Sequence, residues 1–129
     1  MPLLALVVDD SMLVRHTIAR FLQERGFDVE TASNGVEALE IIGRVRPDLI
    51  ITDLRMPKMH GDELIAKLKS APETAGIPLL VLAARESGRD YGHERDQYTI
   101  YKDIDVKAQL DKALRRVLGK LPGKKSPSR

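Results

Sequence analysis

The chain has 129 residues, of which 43% are hydrophobic and 31% are charged, the size and balance of one ordinary globular domain. The absence of cysteine excludes disulfide bonds and thiolate metal sites, and it is compatible with a reducing, cytoplasmic location. The net charge of +2 comes from residues 119–129, which hold four of the 21 basic residues and no acid, so that residues 1–118 carry 17 basic against 19 acidic side chains.

Short apolar runs alternate with amphipathic segments along the chain. The first run, 3–8, is too short to span a membrane and ends in two acids, so it predicts a buried strand rather than a signal peptide. Similar runs predict strands at 27–32, 48–53, 77–84 and 98–101. Apolar side chains at helical spacing predict helices over 11–25, from 35 to just before 47, over 62–70 and over 106–118. We expect residues 1–118 to form the domain and residues 119–129 to be a basic flexible tail.

The order of these elements predicts an α/β fold. Buried strands that alternate with helices pair in parallel, and helices then cover both faces of the sheet. The segment 85–97, which joins the fourth and fifth strands, contains two glycines and no aliphatic side chain, so it cannot form an apolar helical stripe. We therefore predict that the fourth helix, expected in this segment, is shortened or irregular.

Three carboxylates follow or end apolar strands. Asp9 and Asp10 follow the first strand and Asp53 ends the third, and in a parallel sheet these strand ends share one edge, where ligands bind. Like charges at close range repel, so the group requires a cation or carboxyl groups that hold their protons more tightly. Oxygen ligands suit Mg²⁺. Taken singly, the same residues could be a helix cap, a solvated neighbour and a turn residue.

A lysine closes the fifth strand. At this edge Lys102 would reach the acidic residues and offer a positive charge to a phosphate group, although an exposed lysine at a strand end is also common. The loop after Asp53 contains Pro57 and Gly61, and its shape could bring the backbone carbonyl of Arg55 close to a metal ion.

Four motifs together give the chain a resemblance to the receiver domain of bacterial two-component response regulators. They are the late lysine and the runs LVVDDS, DLIITDLRMPKMHG and IPLLVLAA. The resemblance covers about residues 3–118 and implies a flavodoxin-like, doubly wound sheet of five parallel strands in the order 2-1-3-4-5. It also implies that a histidine kinase or phosphotransfer protein phosphorylates Asp53. Asp10, Asp53 and the Arg55 carbonyl would ligate Mg²⁺, Asp9 would act through water, and Lys102 would bind the phosphoryl oxygens.

The chain departs from this family at three switch positions. Ala83 stands where the family has serine or threonine, Thr99 where it has an aromatic residue, and Asp103 where it has proline. Alanine lacks the hydroxyl that hydrogen-bonds the phosphoryl group. A cis peptide bond before a residue other than proline costs about 3 kcal/mol, so we expect the bond before Asp103 to be trans.

The leading hypothesis is a receiver that accepts phosphate on its own aspartate and is not otherwise an enzyme. The alternative is a pseudo-receiver, a protein-interaction module that works without phosphorylation, which Ala83 and segment 85–97 favour. A flavodoxin-like or hydrolase-like enzyme is disfavoured because the chain has no glycine-rich phosphate loop, second nucleophile or general base. We expect no direct binding of nucleic acid and an unidentified downstream protein.

Overall fold

Five parallel strands form one sheet in the order β2-β1-β3-β4-β5. The computed structural model describes residues 3–53, 61–83, 97–102 and 105–118. The strands are β1 (Leu4–Val8), β2 (Asp28–Ala32), β3 (Leu49–Asp53), β4 (Leu79–Ala83) and β5 (Gln97–Tyr101). The predicted five-stranded parallel sheet and its order are confirmed. The predictions for the fourth helix and for the tail at 119–129 fall outside the described residues.

Helices flank the sheet. They are α1 (Met12–Glu24), α2 (Gly35–Arg44), α3 (Gly61–Ser70), α4 (Pro72–Ala75) and α5 (Val106–Leu118). The helix α1 begins after Ser11, whose Oγ accepts a hydrogen bond from the Val14 N–H. The helix α2 begins after Asn34, whose side chain accepts from the Glu37 N–H. Such caps satisfy backbone donors that have no partner within the helix. The four residues of α4 are too few to show helical periodicity, and the sequence analysis missed them.

Apolar side chains fill both faces of the sheet. On one face α1 and α5 pack against alternate strand residues, with Leu80 and Leu82 of β4 fully buried among them. On the other face α2 and α3 cover a second set, which includes Leu6 and Ile50. This two-sided burial explains why the three central strands β1, β3 and β4 are almost continuously apolar rather than alternating, whereas the edge strand β2 is largely exposed. Within the described residues, no helix has the length and apolar character needed to cross a membrane.

The register of the strands determines which residues meet at the carboxyl edge of the sheet. Val8 pairs with Thr52, so the next residues along the two segments, Asp9 and Asp53, lie side by side at the carboxyl edge. Asp53 pairs with Leu82 of β4, and Ala83 pairs with Tyr101 of β5. The edge therefore gathers Asp9, Asp53 and Lys102 from three strands that are not consecutive in the sequence.

Candidate functional site

Asp9, which follows β1, is fixed by hydrogen bonds from its backbone and its carboxylate. It is fully buried. Its backbone N–H donates to the Ala32 carbonyl at 3.1 Å, which extends the pairing of β1 with β2 by one residue. Its Oδ1 accepts from the Ser11 N–H at 2.8 Å, and its carbonyl accepts from Arg15 Nη1 at 2.7 Å. The backbone and carboxylate of Asp9 are thus fixed by β2 and by the first turns of α1.

Asp53 ends β3 beside Asp9. Asp53 is only 4% exposed, and its backbone carbonyl accepts a hydrogen bond from Thr52 Oγ1 at 3.0 Å. A buried carboxylate is costly unless charges or donors compensate it. Burial of Asp53 therefore favours a positive charge close to its carboxylate.

Asp9, Asp10 and Asp53 form an acidic group. Each offers one carboxylate oxygen, and these three oxygens lie within 4.8 Å of one another. Asp10 is exposed while the other two are buried, so the group is open to solvent on one side. Oxygen ligands with access to water match the preference of Mg²⁺, which keeps several of its waters in proteins. The donor set therefore fits a magnesium ion.

Lys102, the residue after β5, supplies a positive charge to the acidic group. Its Nζ lies 3.1 Å from Asp9 Oδ2 and 3.1 Å from Asp53 Oδ2. Burial alone would lower the pKa of this ammonium, but the negative charges of Asp53 and Asp9 in close contact with it outweigh burial and raise the pKa above its ordinary value. Lys102 is therefore positively charged at neutral pH and bridges the two carboxylates.

Two of the three altered switch positions are described: Ala83 ends β4, and Thr99 is the middle residue of β5. Ala83 is 4% exposed, and its carbonyl accepts from the Lys102 N–H at 2.9 Å. Thr99 pairs with Val81, and its Oγ1 is buried without a hydrogen-bond partner among the described residues. Arg55 and Asp103 lie outside the described residues, as do the predictions made for them.

Arg15, whose Nη1 donates to the Asp9 carbonyl, is a residue of the site that the sequence did not predict. A basic residue near the amino end of a helix is disfavoured by the helix dipole unless it has a partner. Arg15 occupies such a position in α1, and the first turn of that helix has no acidic residue with which it could pair. That placement, six residues after Asp9, was the available indication of a contact with the preceding loop.

Comparisons with known proteins agree with this geometry. The family model described as the response regulator receiver domain matches residues 5–114. Over 87 residues the chain is 44% identical to the response regulator MprA of Mycobacterium sp. (strain KMS), which covers 67% of the chain and 37% of that protein. The chain thus spans little more than a third of the length of this curated relative.

Solved structures share the fold over nearly the whole chain. The signal receiver domain of a signal transduction histidine kinase from Syntrophus aciditrophicus is 30% identical, with a TM-score of 0.82 and 96% of each chain covered. The chemotaxis protein CheY4 of Vibrio cholerae is also 30% identical, with a TM-score of 0.78, and the match covers 92% of this chain and all of the other.

Proposed function

The chain belongs to the family of response regulator receiver domains, and from this premise we propose that it accepts a phosphoryl group on Asp53 in a two-component phosphorelay. Receiver domains are signalling proteins rather than classical enzymes. The phosphoryl donor would be a histidine kinase or phosphotransfer protein. The domain would occupy residues 1–118.

One observation carries the proposal: a lysine ammonium lies 3.1 Å from the Asp53 carboxylate, beside a second buried carboxylate. Phosphoryl transfer requires mainly positioning and charge neutralisation around the nucleophile. Here three acidic residues and one lysine converge from the carboxyl ends of three strands, β1, β3 and β5. An arrangement that served only stability would not need so many charges at one edge, because a buried ion pair is often no more stable than apolar packing.

The proposed chemistry is a displacement at phosphorus. An Asp53 carboxylate oxygen forms a bond to the phosphorus atom while the bond from phosphorus to the donor's histidine nitrogen breaks, and that nitrogen keeps the electron pair. Lys102 can then turn from the carboxylates to the new phosphoryl oxygens. A lysine carries a positive charge at neutral pH without any help from these carboxylates, so it can attract the phosphoryl oxygens.

The acidic group would also hold Mg²⁺. Asp10 and Asp53 would be direct ligands, with the Arg55 carbonyl a further ligand and Asp9 acting through a water molecule. When bound, Mg²⁺ would offset the repulsion between the carboxylates and the incoming phosphoryl group. Asp9, fixed by four contacts, would keep the ligands oriented.

A second candidate rests on Ala83. This residue pairs with Tyr101 at the end of β4 and has no hydroxyl to offer a phosphoryl group. A pseudo-receiver would keep the fold and bind a partner protein without phosphorylation. The downstream partner, a location in the cytoplasm and the absence of direct nucleic-acid binding are further parts of the proposal.

The test is phosphorylation of the purified chain by acetyl phosphate with Mg²⁺, measured by intact mass and by binding of beryllofluoride. We expect one added phosphoryl group on the wild type and none on Asp53→Asn or after addition of EDTA. Equal labelling of Asp53→Asn would refute the assignment of the nucleophile. No labelling together with no measurable Mg²⁺ affinity would favour the pseudo-receiver.

A further inference from the structure

The side chain of Gln109 in α5 makes two hydrogen bonds to the backbone of Tyr101. Gln109 Oε1 accepts from the Tyr101 N–H at 2.9 Å, and Gln109 Nε2 donates to the Tyr101 carbonyl at 2.8 Å. Tyr101 is the last residue of β5 and immediately precedes Lys102. The amide of Gln109 thus contacts the backbone one residue before the lysine of the acidic site.

These bonds replace a missing neighbouring strand. The strand β5 lies at the edge of the sheet, so only one of its sides pairs with β4. An edge strand otherwise leaves its outward N–H and C=O groups without backbone partners. At Tyr101 the outward groups are satisfied by one side chain that is both a donor and an acceptor.

The peptide group that joins Tyr101 to Lys102 is therefore held at both ends. Its carbonyl oxygen accepts from Gln109, and its N–H donates to the Ala83 carbonyl at 2.9 Å. This peptide plane sets the direction in which the Lys102 side chain leaves the backbone. From there its Nζ reaches a point 3.1 Å from each of two carboxylates.

We propose that Gln109 is a positioning residue for Lys102, and thus for phosphoryl binding at Asp53. This inference rests on the proposed function. Gln109 has no described contact with Asp9, Asp10 or Asp53. It acts by fixing the backbone that carries Lys102, a long flexible side chain that would otherwise sample many orientations.

Glutamine suits this task because of its geometry and its two kinds of polar atom. Glutamate would keep the acceptor for the Tyr101 N–H but would place a second oxygen against the Tyr101 carbonyl. Leucine keeps a similar volume and removes both bonds to Tyr101 together with a bond to the Asp105 carbonyl. Gln109 Nε2 also lies 3.3 Å from the Asp105 carbonyl, to which it donates. Asp105 still caps the start of α5 in the Leu variant, because its Oδ1 accepts from the Ala108 N–H at 3.1 Å.

The experiment compares Gln109→Leu and Gln109→Glu with wild type. Gln23→Leu, which changes an exposed glutamine of α1, is the matched control. Two affinities are measured for each: that of Mg²⁺ for the EDTA-treated protein, and that of beryllofluoride at saturating Mg²⁺. Thermal unfolding establishes that each variant is folded.

We expect Gln109→Leu to weaken beryllofluoride binding on the order of tenfold or more, the usual effect of removing a residue that orients a site. Mg²⁺ affinity should stay the same or increase, because a displaced ammonium no longer competes for Asp9 and Asp53. Gln109→Glu should give a smaller loss of beryllofluoride affinity, and Gln23→Leu none. In a Lys102→Met background, Gln109→Leu should have no further effect on either affinity.

If Gln109→Leu lost affinity for Mg²⁺ and beryllofluoride alike, general damage would be indicated and the inference overturned. The inference would also be overturned if the effects of Gln109→Leu and Lys102→Met on beryllofluoride affinity were fully additive. Unchanged beryllofluoride affinity in Gln109→Leu, with a wild type that binds, would refute the role of Gln109 alone. If the wild type binds no beryllofluoride, the proposed function fails instead. In that case an increase in Mg²⁺ affinity in Gln109→Leu would still support the role of Gln109, and an unchanged or lower Mg²⁺ affinity would refute it.

Discussion

Replacement of Lys102 by methionine removes the charge that bridges Asp9 and Asp53 while it keeps most of the side-chain volume. At an effective dielectric constant of about 20, two unit charges 3.1 Å apart attract by about 5 kcal/mol, so the two contacts amount to roughly 10 kcal/mol before desolvation. Most of this attraction offsets the loss of hydration of the three groups. The net cost of removing one partner from a buried pair is typically about 3–5 kcal/mol.

The lower end of that range applies here, because 29% of the Lys102 side chain is exposed and water screens its charge. We therefore expect Lys102→Met to lower the free energy of unfolding by about 3 kcal/mol in EDTA. Added Mg²⁺ should then stabilise the variant more than the wild type, because the metal supplies the missing positive charge and no ammonium competes with it.

Urea denaturation with EDTA and with saturating Mg²⁺ measures both effects. Lys112→Met is the control, since this exposed lysine of α5 should change the free energy of unfolding by no more than about 0.5 kcal/mol. A loss below about 1 kcal/mol in EDTA would show that the ion pairs contribute no more than surface pairs do. If Mg²⁺ raised the free energy of unfolding equally in the wild type and in Lys102→Met, competition between Lys102 and the metal would be refuted.

Three further predictions concern the same site. Arg15→Met should lower the free energy of unfolding in urea by about 1.5–3 kcal/mol, the value of a hydrogen bond from a charged donor. Arg20→Met is the control, because it breaks only an exposed ion pair and should change this free energy by less than about 1 kcal/mol. Ala83→Ser should tighten beryllofluoride binding by restoring a donor at the end of β4, and unchanged affinity would contradict this. Because the pKa of Lys102 is higher in the folded than in the unfolded chain, its stabilisation persists up to about pH 10 and is lost as the pH rises through the folded value. In EDTA, the difference in unfolding free energy between wild type and Lys102→Met should therefore shrink from pH 8 to about pH 11, and a constant difference would argue against it.

The meeting of the charged residues could be predicted from the sequence because it follows from topology. Once the apolar runs are read as parallel strands, the residues after β1 and β5 and at the end of β3 must share one edge. The strand order itself came from the resemblance to a family and not from the periodicity. Asp9 and Lys102 are examples of residues whose place depends only on where a strand stops.

The contacts that fix these residues could not be predicted in the same way. Arg15 reaches the Asp9 carbonyl, and Gln109 reaches the Tyr101 backbone, through side-chain conformations that link different elements. Neither residue interrupts the hydrophobic pattern of its helix, so a periodicity analysis treats both as ordinary surface positions. Their roles depend on distances in three dimensions.

The Ala83 side chain is separate from the charged residues that would bind a phosphoryl group. The side chain of Ala83 clusters with Val81 and Ile65 on the side of the sheet that α3 covers. Lys102 and Asp9 meet Asp53 at the carboxyl edge, and their contacts run to β2, α1 and the backbone of β4. Lys102 contacts Ala83 through a hydrogen bond from its N–H to the Ala83 carbonyl, which every residue type possesses. Loss of a hydroxyl at position 83 therefore leaves the charge geometry intact, and acceptance of a phosphoryl group can be tested independently of its transmission.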